Sequence, residues 1–159
     1  MTGDEILKRA YEFAKEKHKN QKRKGGEDYI VHPVAVARAM KDGGYPLDYQ
    51  ITGYFHDLLE DTDATEEEIL ALSNERVLTA VKLLTKYKGY NMKDYIAGVK
   101  SNDIAFRVKA ADRLDNLKSL KSADDAFAKR YIAETEEWFT DFSEEIRKEL
   151  IKLKKKYDC

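Results

Sequence analysis

The stretch YFHDLLEDT, residues 54–62, places four ionisable side chains at the end of an apolar segment that is predicted to be helical. Residues four apart stack on one face of a helix, so His56 and Glu60 share one column and Asp57 and Asp61 the next. Burying three carboxylates together is costly without a cation. A divalent metal would remove that cost, because a histidine beside an aspartate offers mixed nitrogen and oxygen ligands. The same residues also fit solvated charges around a hydrogen-bonded core histidine.

Two other polar residues stand in apolar surroundings. His32 lies in YIVHP, residues 29–33, and a residue that precedes proline is expected to be extended, which would fix the direction of its side chain. Asp112 lies in VKAADRLDNL, residues 108–117, where it shares a polar stripe with Asn116 on a mostly apolar helix. Each alone could equally be a satisfied core residue, His32 through a hydrogen bond and Asp112 as a helix cap or in an ion pair.

The hydropathy pattern predicts an all-α fold, and the length of 159 residues suits one domain over residues 1–159. No segment alternates with the period of two that is typical of a strand. Capping residues and apolar spacing predict helices over 2–22, from Pro33 to Gly43, 47–60, 65–72, from Ser73 or Asn74 to Gly89, 91–99, 103–121 and 124–157. We expect the last of these to pack on the domain's own core.

Composition excludes several classes of protein. The 29 basic and 30 acidic residues nearly cancel to a net charge of −1, which argues against nucleic acid as a general partner. No run approaches the roughly 18 apolar residues of a membrane helix, and the N-terminus does not resemble a signal peptide. The single cysteine, Cys159, cannot close an internal disulfide. These features predict a protein of the reducing cytoplasm that does not bind membranes.

Positive charge is concentrated near the N-terminus, where six of the ten residues from Lys15 to Lys24 are basic and a Gly25–Gly26 loop follows. One interpretation is a solvated helix end. Another is a phosphate clamp in which Arg23 supplies a bidentate guanidinium. A third is a nucleic-acid-binding surface, whose affinity would fall steeply with salt. His18 lies on the Ala14 side of the helix, which favours a packing role.

The runs RKG (23–25), YIVHP (29–33), HDLLEDT (56–62) and ADRLDN (111–116) resemble the RelA/SpoT-type HD hydrolases. This group includes the stand-alone small alarmone hydrolases and their metazoan SpoT homologue. The resemblance covers about residues 6–121, with the predicted C-terminal helix beyond it. It implies a helical domain of the HD superfamily, which is defined by a histidine, a His-Asp pair and a later aspartate in that order.

The resemblance also implies an activity and a role for each matching residue. The reaction is Mn²⁺-dependent hydrolysis of the 3′-pyrophosphate of (p)ppGpp, an alarmone of the stringent response, to GDP or GTP and pyrophosphate. The Mn²⁺ ligands would be His32, His56, Asp57 and Asp112. The residues that position and deprotonate the attacking water would be Glu60 and Asp61. The nucleotide would be held by Arg23, Lys24 and Asn116, with Ser119 as a weaker candidate.

Two residues depart from the family pattern: Asp28 stands where a proline is usual, and Asp115 where a histidine is common. Asp115 adds negative charge near the expected nucleotide pocket. The chain is too short for the synthetase domain of the bifunctional enzymes, so we expect hydrolysis only. NADPH or an adenine alarmone such as ppApp remains an alternative substrate. A catalytically silent nucleotide-binding module is a further alternative, although the candidate bases and ligands are all present. The oligomeric state stays open.

Overall fold

The computed structural model describes residues 1–159 and contains only helices, with one isolated bridge between Lys22 and Asp28. The α-helices are α1 (Gly3–Lys17), α2 (Val31–Asp42), α3 (Leu47–Phe55), α4 (Leu58–Asp61), α5 (Glu66–Leu72), α6 (Glu75–Leu84), α7 (Met92–Lys100), α8 (Asp103–Lys118), α9 (Asp125–Trp138) and α10 (Glu144–Lys156), and a 3₁₀-helix covers Leu120–Ser122. The all-α prediction is confirmed. None of these helices combines the length and the apolar character needed to span a membrane.

Short polar side chains cap the N-termini of several helices at the positions that the sequence predicts. Thr2, Asn74 and Asn91 each accept a hydrogen bond from the backbone N–H three residues on. Thr65 and Glu68 form a complete capping box at the start of α5. Each bond satisfies one of the N–H groups that the first turn of a helix leaves without a backbone partner.

Helix α8 is central to the fold, with α2, α3, α6, α7, α9 and α10 packed around it. Val108 and Leu117 of α8 are fully buried in the larger of two apolar core clusters. The smaller cluster lies among α1, α3, α5 and α6. Helices α2, α3 and α8 also pack against one another in all three pairs. This three-helix junction is the place where residues distant in sequence can meet.

Gly53 determines how closely α3 approaches α2. A Cβ atom at Gly53 would lie 2.8 Å from the Cα atom of Ala37 and 2.9 Å from its backbone nitrogen, which is closer than real Cβ atoms come to backbone. The two helices therefore touch through their backbones at this point. The contact places the C-terminal end of α3 directly beside α2.

Helix α1 ends at Lys17, five residues before the predicted end at residue 22. The chain then forms a loop in which the Tyr29 N–H donates to the Gln21 carbonyl oxygen at 2.9 Å. The side chains of Lys22 and Asp28 pair across the same loop. The basic run is thus divided between a helix and a loop, and Asp28, the residue found in place of a proline, has a structural partner.

The helix predicted over 124–157 is two helices, α9 and α10, separated by a turn over residues 139–143. Phe142 of this turn is buried and stacks on Phe106 of α8, with ring centroids 4.7 Å apart. The Ser143 side chain then caps α10 by accepting from the backbone N–H three residues on. Buried aromatic residues occupy the turn, so the spacing of apolar residues continues through it. That spacing therefore does not show where α9 ends and α10 begins. Helix α10 packs on α8, as expected for the domain's own core.

Candidate functional site

His56 and Asp57 lie in a turn between α3 and α4, and not inside one helix over 47–60 as predicted. The His56 Nδ1 atom lies 2.7 Å from the Gly53 carbonyl oxygen, the acceptor that an unbroken helix would offer to the Asp57 N–H. The imidazole therefore takes the place of a helical backbone bond. Four residues on, Glu60 Oε1 accepts from the Lys86 backbone N–H at 2.7 Å.

His32 lies in the first turn of α2, and the prediction of an extended backbone at this residue is wrong. The proline that follows is tolerated because the first turn has no hydrogen bond for it to remove. From this position the buried imidazole reaches α8 with both nitrogens. Nε2 lies 2.7 Å from Asp112 Oδ1, and Nδ1 lies 2.8 Å from Asp115 Oδ2.

The three-helix junction brings together the four residues predicted as metal ligands. The nitrogen and oxygen atoms that His32, His56 and Asp57 could offer to a metal all lie within 4.8 Å of one another. Asp112 completes this His/Asp cluster, because its Oδ1 atom lies 2.7 Å from His32 Nε2 and 3.4 Å from His56 Nε2. Both histidines and Asp112 are buried.

The surroundings of His56 show that the cluster fits a cation. Its Nε2 atom is buried and has no hydrogen-bond partner, although Asp57 Oδ2 lies only 3.1 Å away. A buried polar atom without a partner is rare in a folded protein. Nδ1 of each histidine is held by an oxygen, so both Nε2 atoms face the carboxylates. Two imidazole nitrogens with two carboxylates form a donor set suited to a divalent transition metal.

The electrostatics keep both carboxylates ionised, the form that a metal requires. Burial opposes ionisation of Asp57, but the His56 charge outweighs it and lowers the pKa of Asp57 to about 2. Burial likewise opposes ionisation of Asp112, but Lys109, whose Nζ lies 3.0 Å from Oδ2, holds the pKa of Asp112 well below its usual value. Tyr29 donates its hydroxyl to Asp57 Oδ2 at 2.5 Å.

The two residues predicted as catalytic carboxylates have different surroundings. Glu60 is tied to the loop after α6 by its hydrogen bond with the Lys86 N–H. Asp61 is exposed as a residue, and no side-chain hydrogen bond holds its carboxylate. Partial burial of that carboxyl group, together with the negative charges of Asp57 and Glu60, raises the pKa of Asp61 to about 6. Asp61 is therefore the less constrained of the two carboxylates.

A cavity of about 540 Å³ lies next to the His/Asp cluster. Its walls include all four residues predicted to hold a nucleotide, namely Arg23, Lys24, Asn116 and Ser119. Asn116 connects the cavity to the cluster, since its Nδ2 atom donates to Asp112 Oδ1 at 3.2 Å. Its Oδ1 atom accepts from Arg23 Nη2 at 3.1 Å. One side chain thus contacts both parts of the site.

The aromatic wall of this cavity was missed by the sequence analysis. Phe127 and Tyr131 of α9 lie with ring centroids 5.9 Å apart and planes inclined by 23°. Lys24 Nζ lies 4.1 Å from the centroid of the Phe127 ring. The sequence predicts these residues only as part of the helix over 124–157, which is expected to pack on the domain's own core. Their placement at a cavity depends on the turn that leads from α8 into α9, which residue spacing does not show.

The sequence of this chain matches one protein family and is similar to several known proteins. The HD domain family matches residues 10–103 of the chain, a range that contains the His-Asp pair. The guanosine-3′,5′-bis(diphosphate) 3′-pyrophosphohydrolase of Aquifex aeolicus is 44% identical in an alignment 124 residues long, which covers 73% of this chain and 18% of that protein. The GTP pyrophosphokinase of Myxococcus xanthus is 33% identical in an alignment 147 residues long, which covers 82% of this chain and 19% of that protein. The chain thus spans about a fifth of the length of these relatives.

The fold also resembles that of a solved structure, described as a metazoan ortholog of SpoT that hydrolyzes ppGpp and plays a role in starvation responses. The two structures match with a TM-score of 0.79 over 95% of this chain and 94% of the other. Their sequences are 20% identical, so the likeness concerns the arrangement of helices.

Proposed function

The chain belongs to the HD-domain family, and from that premise we propose that it hydrolyses the 3′-pyrophosphate of (p)ppGpp to GDP or GTP and pyrophosphate. The observation that carries the proposal is the junction of a buried His/Asp cluster with a basic cavity lined by aromatic residues. The cavity would hold the nucleoside, and the cluster would lie at the phosphate end of the substrate. The name of the Aquifex aeolicus relative supports the same substrate class.

The metal in this proposal is Mn²⁺, held by His32, His56, Asp57 and Asp112. When bound, a divalent cation lowers the pKa of a water molecule and offsets negative charge at the attacked phosphorus. The protein's own contribution is to keep the carboxylate ligands ionised and the histidine ligands in a fixed orientation. Asp57 and Asp112 are already ionised, and the oxygens that hold Nδ1 of each histidine keep Nε2 facing the carboxylates.

Asp61 would act as the general base and Glu60 as its partner in orienting the attacking water. A carboxylate whose pKa is about 6 is ionised at neutral pH, yet it is more basic than an ordinary aspartate. The proton of the attacking water would pass to the Asp61 carboxylate. Glu60, held by the Lys86 N–H, has a defined position from which to accept a hydrogen bond from the same water.

The cavity would recognise the nucleotide through two kinds of contact. Arg23 and Lys24 supply positive charge for phosphate oxygens, and Asn116 and Ser119 supply polar atoms beside them. Phe127 and Tyr131 present aromatic rings on which a purine could stack. A polyphosphorylated purine nucleotide matches both features, whereas a simple phosphomonoester would leave the aromatic wall unused.

The helices outside the range of the family match belong to the same functional unit. Asp112 and Asn116 follow residue 103, and α9 supplies the aromatic wall, so the site needs residues from both sides of that boundary. We therefore propose that residues 1–159 act as one hydrolase domain. A small soluble nucleotide as substrate accords with the proposed location in the cytoplasm.

The direct test is release of pyrophosphate from ppGpp, measured with Mn²⁺ present and again after chelation. We expect Mn²⁺-dependent release that is lost in Asp57→Ala and Asp112→Ala. Asp141→Ala, which removes an exposed carboxylate paired with Lys100, serves as the control and should keep full activity. The absence of release by Mn²⁺-loaded protein would contradict the proposal. Turnover of NADPH or ppApp in the same assay, without turnover of ppGpp, would replace the substrate.

A further inference from the structure

Asp115 contacts both the His/Asp cluster and the nucleotide cavity. Its Oδ2 atom lies 2.8 Å from His32 Nδ1 and 3.2 Å from Arg23 Nη1. A single carboxylate oxygen is therefore shared between a proposed metal ligand and a proposed nucleotide-binding arginine. This residue is also one of the two departures from the family pattern, so its role cannot be carried over from relatives.

We propose that Asp115 is a positioning residue that sets the metal affinity of His32 and makes that affinity depend on Arg23. The inference rests on the metal site of the proposed function. Carboxylates face both nitrogens of His32 and can only accept, so a metal would have to replace the proton on Nε2, beside Asp112. Asp115 would then keep the remaining proton on Nδ1, which leaves the Nε2 lone pair for the metal. Partners of this kind raise the basicity of a histidine ligand, and their loss typically lowers metal affinity about 10- to 100-fold.

The partner of the other histidine makes a useful contrast. His56 Nδ1 donates to the Gly53 carbonyl, a neutral backbone group that no side chain competes for. The partner of His32 is a charged side chain, and Arg23 draws on the same oxygen. The Arg23 side chain is 11% exposed and that of Asp115 is 26% exposed, so water screens this pair less than it screens a surface ion pair.

This arrangement couples the two parts of the site. While Arg23 pairs with Asp115, the positive charge of Arg23 partly neutralises the carboxylate, so Asp115 raises the basicity of His32 less. A nucleotide phosphate that engages Arg23 would release Asp115 towards His32 and so strengthen metal binding. By linkage, bound metal would strengthen nucleotide binding to the same extent.

The test measures Mn²⁺ affinity without substrate, by following free Mn²⁺ in electron paramagnetic resonance titrations of the intact chain. Asp115→Asn and Asp115→Ala should each weaken Mn²⁺ binding about 10-fold or more. Asp103→Asn is the matched control, since it removes one carboxylate from the same helix, where that group contacts Tyr49 and Arg107 instead. Circular dichroism establishes that each variant is folded. Mn²⁺ affinities equal to that of the control in both Asp115 variants would overturn the positioning role.

A double-mutant cycle tests the coupling. Arg23→Gln should tighten Mn²⁺ binding about 5-fold, at the lower end of typical couplings between sites, and should have no effect in the Asp115→Asn background. An equal effect in both backgrounds would mean that Arg23 acts through space, which overturns transmission through Asp115. A wild-type chain that binds no Mn²⁺ overturns this inference and the proposed function together. Mn²⁺ binding with the expected Asp115 effects, but without ppGpp hydrolysis, overturns the proposed substrate alone.

Discussion

Nε2 of His32 lies 2.7 Å from Oδ1 of Asp112, although 80 positions separate the two residues in the sequence. His32 is in the first turn of α2 and Asp112 is in α8, so the contact exists only because these helices pack together. The same junction brings in His56 from the end of α3. Changes in helix packing should therefore affect metal binding as well as stability.

Gly53→Ala should weaken both the fold and the metal centre. The added methyl group would lie 2.8 Å from the Ala37 Cα atom, so α3 would have to move away from α2. We expect a loss of about 1–3 kcal/mol in the free energy of unfolding, measured in urea. Mn²⁺ affinity should fall too, because the Gly53 carbonyl orients His56. Gly98→Ala, where the new Cβ would make an ordinary 3.4 Å side-chain contact, is the control. Equal stabilities of the two variants would contradict this prediction.

Lys109→Met should destabilise the metal-free protein and strengthen Mn²⁺ binding. The Lys109 ammonium is buried 3.0 Å from Asp112 Oδ2; burial lowers its pKa, but the Asp112 charge outweighs this and raises the pKa above the usual value. Removing one partner of such a buried pair costs about 3–5 kcal/mol, measurable by urea unfolding in chelator. It also removes a cation that competes with the metal for Asp112. Lys152→Met, at an exposed position, controls for loss of charge. Weaker Mn²⁺ binding would show that Lys109 supports the ligand and does not compete.

Tyr29→Phe should lower Mn²⁺ affinity about 10-fold while leaving the chain folded. Burial and the negative charge of Asp57 raise the pKa of Tyr29, so its hydroxyl remains a donor to Asp57 Oδ2 at neutral and alkaline pH. Without that bond the carboxylate loses the group that orients it. Mn²⁺ titration of Tyr90→Phe, which alters an exposed tyrosine, gives the reference value. Matching affinities in the two variants would assign the Tyr29 hydroxyl no part in metal binding.

Hydrolysis of ppGpp should decline as the pH falls through about 6, the pKa to which partial burial and the charges of Asp57 and Glu60 raise Asp61. A general base acts in its deprotonated form, so the rate should decrease about tenfold for each pH unit below its pKa. A cation bound at Asp57 compensates part of that charge, which places the acidic limb of the metal-loaded protein at or below this value.

Asp61→Asn should remove this acidic limb from the pH profile of kcat and lower kcat by about 100- to 10,000-fold. Asp63→Asn, which alters an exposed carboxylate paired with Lys17, should keep the wild-type profile. An acidic limb that persists in the residual activity of Asp61→Asn would assign the titration to another group.

Much of the fold could be predicted from residues close together in the sequence. Thr65 and Asn74 begin helices through hydrogen bonds that span three residues, so a short window of sequence contains both partners. The four proposed metal ligands were recognised by their motifs, and the structure brings them to one junction. The aromatic wall of the cavity belongs to no such motif and was found only in the structure. Their catalytic and binding roles stay predictions until the variants above are measured.

Two predicted helices were wrong because each one ends where the apolar spacing continues. The helix predicted over 47–60 ends early because the His56 imidazole occupies the Gly53 carbonyl. The helix predicted over 124–157 divides at a turn whose phenylalanines face the same core as the helices around it. Apolar residues at helical spacing indicate which side chains are buried. They do not indicate whether the backbone between those side chains stays helical.

Local interactions settle the helical character of this chain and the positions of several helix starts, since neighbouring residues supply both the donor and the acceptor. The packing of α8 against α2 and α3 decides which polar groups become partners. Asp115 meets His32 across 83 positions, and Arg23 meets Asn116 across 93. No spacing rule links residues so far apart. Their contacts depend on close helix packing, including the approach at Gly53, and the cost of burying charge without a partner makes those contacts necessary.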